Sequence, residues 1–437
     1  MYSGATRPSP CPDPVLCGRA VDAPAAIKRA SDHSPARSVE EPRGSVGVRR
    51  VLVVAFQTGR HADGGLESLT QLLERYEGIE VTVMTQAVTT KNERWRGKGC
   101  RVIVRTWDDQ AFRRARWSWR RAWQYFSWNA AAAWQAWTDG VEIAHVNDPL
   151  ALWHVAVGLR ILGVPVVFNI RDTKARVSRR EVWKWRAAFH LTQAQIVLSW
   201  EMRNYWSRVL EVTGRRMAAV YSIVDPHRMR PASAARRREL RERLGFPDGF
   251  VIGYVASFSE KKAQLRFIEA VGPAWLRSSP ASHVCFLGDF SPESDSYAAA
   301  CARRVRELGL VSRFAFKGYV AQPETWYPAF DVVLVATQNE GLARCMIESL
   351  ASGTPVVSFD VCSAREILET GDCGRVVEQG DYAGLVATLT RLQDDGPERE
   401  RLGQNATALA TRLFSPAANV GKYLEIYHAV VGAGQVA

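Results

Sequence analysis

The stretch NEGLARCMIESLASGTPVV (Asn339–Val357) carries two carboxylates, Glu340 and Glu348, with seven residues between them in apolar, glycine-punctuated surroundings. An ionised carboxylate only accepts hydrogen bonds, so it suits hydroxyls such as those of a ribose. Glu340 and Gly341 fall in a loop between a strand expected over DVVLVAT (331–337) and a helix expected over CMIESLA (345–351), with Glu348 near the start of that helix. A helix N-terminus offers free N–H groups and a positive dipole end, which favour phosphate oxygens. Glycine at 341 lets the backbone approach a ligand closely. The combination suits a nucleotide-linked ligand. The competing reading is that both carboxylates only stabilise a helix dipole on the surface.

Such residues need elements to hold them. RVLVVAF (50–56) reads as a short strand buried on both faces. LESLTQLLERY follows as an amphipathic helix, and EVTVMTQ, RVIVRTW, EIAHVN, VPVVFNI and QIVLSW as further strands, the half closing near AAVYSIVD (218–225). Polar, basic, proline-bounded residues 226–249 read as a connection containing a helix. A second series begins with FVIGYVASF, followed by HVCFLGD, RFAFKGYV, DVVLVAT, TPVVSFD and GRVVEQG, and SPAANVGKYLEIYHAVV makes a terminal helix. Alternating strands and helices imply parallel sheets covered on both faces. Two such sheets face each other across a cleft at the carboxyl ends of their strands, where ligands of open α/β sheets bind.

Length and charge set outer bounds. The 437 residues suggest two or three domains. A net charge of +12 and a pI near 9.5 point to an anionic partner: nucleic acid, a membrane surface or a phosphorylated small molecule. The eight cysteines form no Cys-x-x-Cys pair and read as reduced, buried thiols. With no apolar run of about 20 residues and no apolar leader, the expected place is the cytoplasm. TGRHADGG lacks the spacing of a dinucleotide fingerprint after the first strand, which argues against a dehydrogenase.

The chain resembles the glycosyltransferase family 4 enzymes. Their second lobe commonly reads Glu-Gly, six residues, Glu-Ala, three residues, Gly-x-Pro-Val-Val; here stand Glu340-Gly341-Leu342, Glu348-Ser349 and Gly353-Thr354-Pro355-Val356-Val357. YSIVDPHRMRP, CFLGDF, FAFKGYV and FSPAANVGKYLEIY resemble the family's hinge, two strand segments and closing helix, and GGLES (64–68) resembles its first-lobe Gly-Gly-x-Glu loop. The resemblance spans roughly residues 50–430. It implies an α/β protein of GT-B fold, with two Rossmann-like, doubly wound lobes. The expected boundaries are a disordered extension over 1–48, an acceptor-side lobe over 49–228, a donor-side lobe over 229–415 and a C-terminal helix over 416–437 that packs back on the first lobe.

The resemblance also implies an activity: retaining, metal-independent hexosyl transfer from a nucleotide-diphosphate sugar to a hydroxyl, with no cofactor, in cell-envelope polysaccharide or glycolipid assembly. Lys262 and Glu340 would be the catalytic pair. Gly64, Gly65, Ser257, Lys262, Glu340, Gly341, Leu342 and Glu348 would bind the donor, Glu340 on its sugar and Glu348 on its ribose. Lys262, the helix N-terminus at Gly341-Leu342 and the backbone of Gly64-Gly65 would stabilise the departing diphosphate. Where the family has Gly-Arg-Leu and then Lys-Gly, this chain has Ala256-Ser257-Phe258 and Lys262-Ala263, so the arginine is lost and Lys261 or Arg344 would share its work. On the acceptor side stand Asn147, Arg171 and Asp172, while His145 reads as a packed strand histidine. The acceptor would be a saccharide or a lipid-linked saccharide, with no specific nucleic acid as partner. Within the same fold the other expectations are a nucleotide-sugar epimerase or a phosphorylase. The loss at Ser257 keeps open a non-catalytic, basic membrane- or polyanion-binding protein on a decayed scaffold.

One segment stands apart. Over 91–121 there are eleven Lys/Arg against three Asp/Glu, and Phe112, Trp119, Trp123, Phe126 and Trp137 fall near one helical stripe, beside Arg113, Arg116 and Arg120. Trp and Arg together suit an anionic membrane interface, which would put the protein peripherally on the inner face of the cell membrane. The alternative is a helix whose aromatics pack on the sheet beneath a basic outer face.

Overall fold

The run RVLVV (β1, Arg50–Val54) is buried at every position after the first, as a central parallel strand requires. In the computed structural model, residues 47–57, 64–106, 118–174, 177–279 and 281–435 are described. The other strands of the first sheet are β2 (Glu80–Thr85), β3 (Arg101–Val104), β4 (Ile143–Val146), β5 (Val166–Ile170), β6 (Ala194–Val197) and β7 (Met217–Ala219). Its order is β3-β2-β1-β4-β5-β6-β7, all parallel. The second sheet holds β8 (Phe250–Val255), β9 (Ser282–Leu287), β10 (Phe314–Phe316), β11 (Val332–Val335), β12 (Val356–Phe359) and β13 (Gly374–Val377) in the order β10-β9-β8-β11-β12-β13, also all parallel. Both are doubly wound, as expected.

Helices cover the first sheet as α1 (Gly64–Leu73), α2 (Thr90–Gly97), α3 (Trp119–Thr138), α4 (Pro149–Ile161), α5 (Arg179–Leu191) and α6 (Trp200–Leu210). After the connecting helix α7 (Ala234–Leu244) come α8 (Gln264–Ser278), α9 (Ser296–Glu307), α10 (Arg344–Ala351), α11 (Ala364–Leu368), α12 (Tyr382–Asp394), α13 (Gly396–Phe414) and α14 (Pro416–Gln435). Ser, Thr or Asp caps open α2 through α7 and α9, each accepting a first-turn N–H. The helix α10 stops where Gly353 takes a left-handed φ of 72°.

The chain crosses between the lobes twice, and the two crossings touch. Val224 N–H donates to the Phe414 carbonyl at 2.9 Å, and the Tyr221 and Phe414 rings meet edge to face at 5.6 Å. Beyond that point α14 joins the first lobe: Tyr423 and Tyr427 lie in one buried cluster with Val51, Val53, Leu69, Ile143 and Ile196. Tyr76 Oη donates to Tyr427 Oη at 2.9 Å, and Tyr427 Oη bonds His145 Nδ1. His145 is fully buried, stacked on Tyr423 at 5.9 Å, and burial lowers its pKa to about 3. It is a packed, neutral strand residue.

The aromatic helix differs from one of its two expectations. The helix α3 buries Gln124, Trp128, Ala132 and Ala136, and Gly158 of α4 sits so close that a Cβ there would lie 2.2 Å from the Asn129 carbonyl oxygen. Trp119, Trp123, Phe126, Trp134 and Trp137 face outward, each 64–84% exposed. The aromatics therefore do not pack on the sheet, because the small residues Ala132 and Ala136 let α3 approach α4 on the opposite face. Phe112, Arg113 and Arg116 lie outside the described residues, as does residues 1–46 of the expected extension.

Candidate active site

In each sheet the strand order reverses beside the first strand, between β1 and β4 and between β8 and β11. Loops leaving the carboxyl ends of strands at such a point flank a crevice. The singled-out residues lie on these loops or next to them: Gly64 and Gly65 open α1 after β1, Asn147 follows β4, Arg171 and Asp172 follow β5, Ser257 and Lys262 follow β8, and Glu340, Gly341 and Leu342 follow β11.

The structure joins most of them. Lys262 Nζ pairs with Glu340 Oε1, and Glu340 is buried. Burial alone would pull the Lys262 ammonium down, but the Glu340 carboxylate outweighs it and the lysine titrates above its ordinary value. Across the cleft, Lys261 Nζ meets Asp172 Oδ2 at 2.6 Å, and Thr173 Oγ1 donates to the Glu340 carbonyl at 2.7 Å. Asn339 Nδ2 donates to the Thr173 carbonyl at 2.8 Å. Arg171 donates through Nε and Nη2 to Asn147 Oδ1 at 3.0 and 2.7 Å. At Gly341 the lobes approach closely: a Cβ there would lie 2.3 Å from the Arg171 carbonyl oxygen. Ser257 stays exposed in its loop, its carbonyl accepting from Gln264 Nε2 at 2.9 Å, and Leu342 is buried.

Glu348 is buried on α10, one turn after Arg344. Arg344 Nε lies 2.7 Å from Glu348 Oε1, and Tyr327 Oη donates to Oε2 at 2.7 Å. The same arginine crosses to the first lobe, where Nη1 donates to Ser68 Oγ at 2.7 Å, and a Cβ on Gly64 would lie 3.2 Å from Arg344 Cδ. One expectation shifts: α10 begins at Arg344, so Gly341 and Leu342 belong to the loop before the helix rather than to its N-terminus. Tyr327, Asn339 and Thr173 had no sequence signal, because their roles depend on which loops the two sheets bring together. Ala263 follows Lys262 in a left-handed conformation (φ 56°), the one place in this loop where the backbone favours glycine.

Half-buried Lys262 and Arg344, each paired with a buried glutamate at the inter-lobe seam, form a site with cations for phosphates and carboxylates for hydroxyls. Comparison with known proteins agrees with that chemistry. Residues 65–228 match the family described as Glycosyltransferase Family 4, and residues 249–395 the family described as Glycosyl transferases group 1. The chain belongs to this glycosyltransferase family. A D-inositol 3-phosphate glycosyltransferase of Thermomonospora curvata is 31% identical over 222 residues, 48% of this chain and 51% of that protein. The lipopolysaccharide core biosynthesis glycosyltransferase LpsE of Rhizobium meliloti is 27% identical over 187 residues, 43% of this chain and 52% of that protein. The chain thus spans about half the length of these two relatives. In fold it is similar to Anabaena HepE, solved in complex with UDP: TM-score 0.73, 20% identity, 87% of this chain and 100% of that one.

Proposed function

We propose that the protein is a GT-B glycosyltransferase that moves a hexosyl group from a nucleoside-diphosphate donor to a hydroxyl acceptor, with retention and without a metal or cofactor. The Lys262–Glu340 pair carries this reading. In the reaction the bond between the anomeric carbon and the diphosphate oxygen breaks, the diphosphate leaving with the electron pair. The acceptor oxygen bonds the same carbon and passes its proton to the departing diphosphate oxygen. Lys262, with Lys261 and Arg344 in place of the arginine missing at Ser257, meets the charge that grows on the diphosphate. Glu340 orients the donor sugar, and the lone pairs of Glu348 not engaged by Arg344 and Tyr327 accept from the ribose.

On this reading the acceptor is a saccharide or lipid-linked saccharide of the cell envelope, which the kinship to LpsE supports. The outward aromatic row of α3, beside the exposed Arg120 on a chain of net charge +12, suits a seat on the anionic inner face of the cell membrane. No helix among the described residues is long and apolar enough to cross a membrane.

Titration with UDP and with GDP tests the donor site. One nucleotide should bind saturably, and Lys262→Ala and Glu348→Ala should each weaken it by about 10–100-fold, the span of a lost charge-assisted hydrogen bond. Ser257 favours a second reading, a non-catalytic polyanion binder. That reading requires no nucleotide binding and steeply salt-dependent binding to anionic polymers.

A further inference from the structure

A cavity of about 240 Å³ opens in the first lobe between α4 and α5. Leu152, Phe168 and Ala188, all buried, form its floor, and Trp153 and Trp185 line it. The Trp185 ring is held by Phe168 at 6.0 Å and Trp206 at 4.4 Å. Charge is confined to Lys174, Glu181 and Lys184. Glu181 is already engaged, pairing with Lys174 and closing the capping box of α5. Lys174 is also the residue after Thr173, whose hydroxyl reaches the Glu340 carbonyl. One lining residue of the cavity is thus next in sequence to a residue of the inter-lobe seam.

We propose that this cavity seats the hydrocarbon chain of a lipid phosphate, with the phosphate at Lys174 and Lys184 and the head group directed to the cleft. As an acceptor site it rests on the transferase reading given above. A sugar ring would need several hydrogen-bonding partners, and beyond the three charged side chains the lining offers only the indole N–H groups of Trp153 and Trp185. A methylene chain needs only apolar walls, and each buried CH₂ tightens binding by about 4-fold. Lys174 and Glu181 neutralise each other, so the lining keeps one net positive charge, at the exposed Lys184, to meet a phosphate. A second feature agrees: α3, whose outer face carries the exposed aromatic row, packs on α4, with Asn129 Nδ2 donating to the Trp153 carbonyl at 3.3 Å. The cavity therefore lies one helix away from the surface suited to a bilayer.

The test titrates the full chain with dodecyl phosphate below its micelle concentration, beside dodecyl maltoside, inorganic phosphate and a soluble disaccharide. Dodecyl phosphate should bind saturably and at least about 10-fold more tightly than the maltoside, with no measurable binding of phosphate alone. Lys184→Glu, at an exposed position, should weaken it about 10-fold, and Ala188→Leu should abolish it by filling the floor. If Ala188→Leu fails to fold, the lysine variant still decides. Equal binding of both amphiphiles, an unchanged Lys184→Glu, or displacement of dodecyl phosphate by the disaccharide each overturns the proposal. Parallel titration with UDP and GDP separates the two readings. Nucleotide binding without dodecyl phosphate binding removes the lipid site alone. Dodecyl phosphate binding with no nucleotide binding keeps the lipid site and removes the transferase.

Discussion

Protonation of single residues reaches into the stability of the first lobe. Buried His145 titrates at about 3, against about 6.5 for an unstrained histidine. Between those values the unfolded chain binds a proton that the folded chain does not, so stability falls as pH drops below about 6.5 and stops falling near 3. At pH 5 the cost is about 2 kcal/mol. His145→Phe keeps an aromatic ring against Tyr423 but loses the bond to Tyr427. It should be less stable by about 1–2 kcal/mol at pH 7 and lose less between pH 6.5 and 5. Urea midpoints at the two pH values measure both effects, and an unaltered pH slope would mean that His145 is not the group responsible. In the loop after β11, Gly341→Ala would drive a methyl into the Arg171 carbonyl. The expected result is a loss of about 1–3 kcal/mol together with weaker nucleotide binding, read from the same titrations as the parent. A variant that binds nucleotide as the parent does would show that the lobes need not approach so closely.

At the scale of elements, α3 separates folding from surface behaviour. Its buried face of Gln124, Trp128, Ala132 and Ala136 holds the helix, while Trp123 and Trp134 are exposed. Trp123→Ser with Trp134→Ser should therefore leave thermal stability within about 0.5 kcal/mol per site and remove binding to phosphatidylglycerol vesicles in a sedimentation assay. Retained sedimentation would take the aromatic row out of membrane contact. The same helix shows what the sequence could and could not convey. Its aromatic stripe was legible as a periodicity, but periodicity does not say which face packs. That was decided by Ala132, Ala136 and Gly158, whose smallness sets the approach to α4. The strands were legible because short β-branched runs such as RVLVV bury every position after the first. The strand-to-helix loop holding Glu340 was legible from the same runs. Cross-lobe partners such as Thr173 and Tyr327 were not, since a single sequence carries no signal of which distant loops meet.

For the whole molecule, a second seam between the lobes is centred on two carboxylates, Glu366 and Glu201, the latter accepting from Ser363 N at 2.7 Å. Glu366, on α11, accepts from Trp200 N at 3.1 Å and Glu201 N at 2.6 Å, at the start of α6 in the other lobe, and from Tyr221 Oη. Beside it Ser363 Oγ meets Ser199 Oγ at 2.7 Å. A side chain of one lobe thus caps a helix of the other. Glu366→Ala should cost about 1–2 kcal/mol, as lost caps do, and loosen the lobes, seen as a larger radius of gyration in small-angle scattering. Unchanged scattering would place the hold between the lobes at the Lys261–Asp172 seam instead.

The return of α14 to the first lobe has a consequence for how the chain is made. Tyr427 lies 282 residues after His145, the strand residue it bonds. At roughly 5–20 residues per second of synthesis, that gap corresponds to tens of seconds on the ribosome. The lobe translated first is therefore the one completed last. Until α14 emerges, the apolar face formed by Val51, Val53, Ile143 and Ile196 has only part of its cover, from Leu66, Leu69, Leu72 and Leu73 of α1, and the nascent chain exposes a sticky surface of the kind that holding chaperones bind.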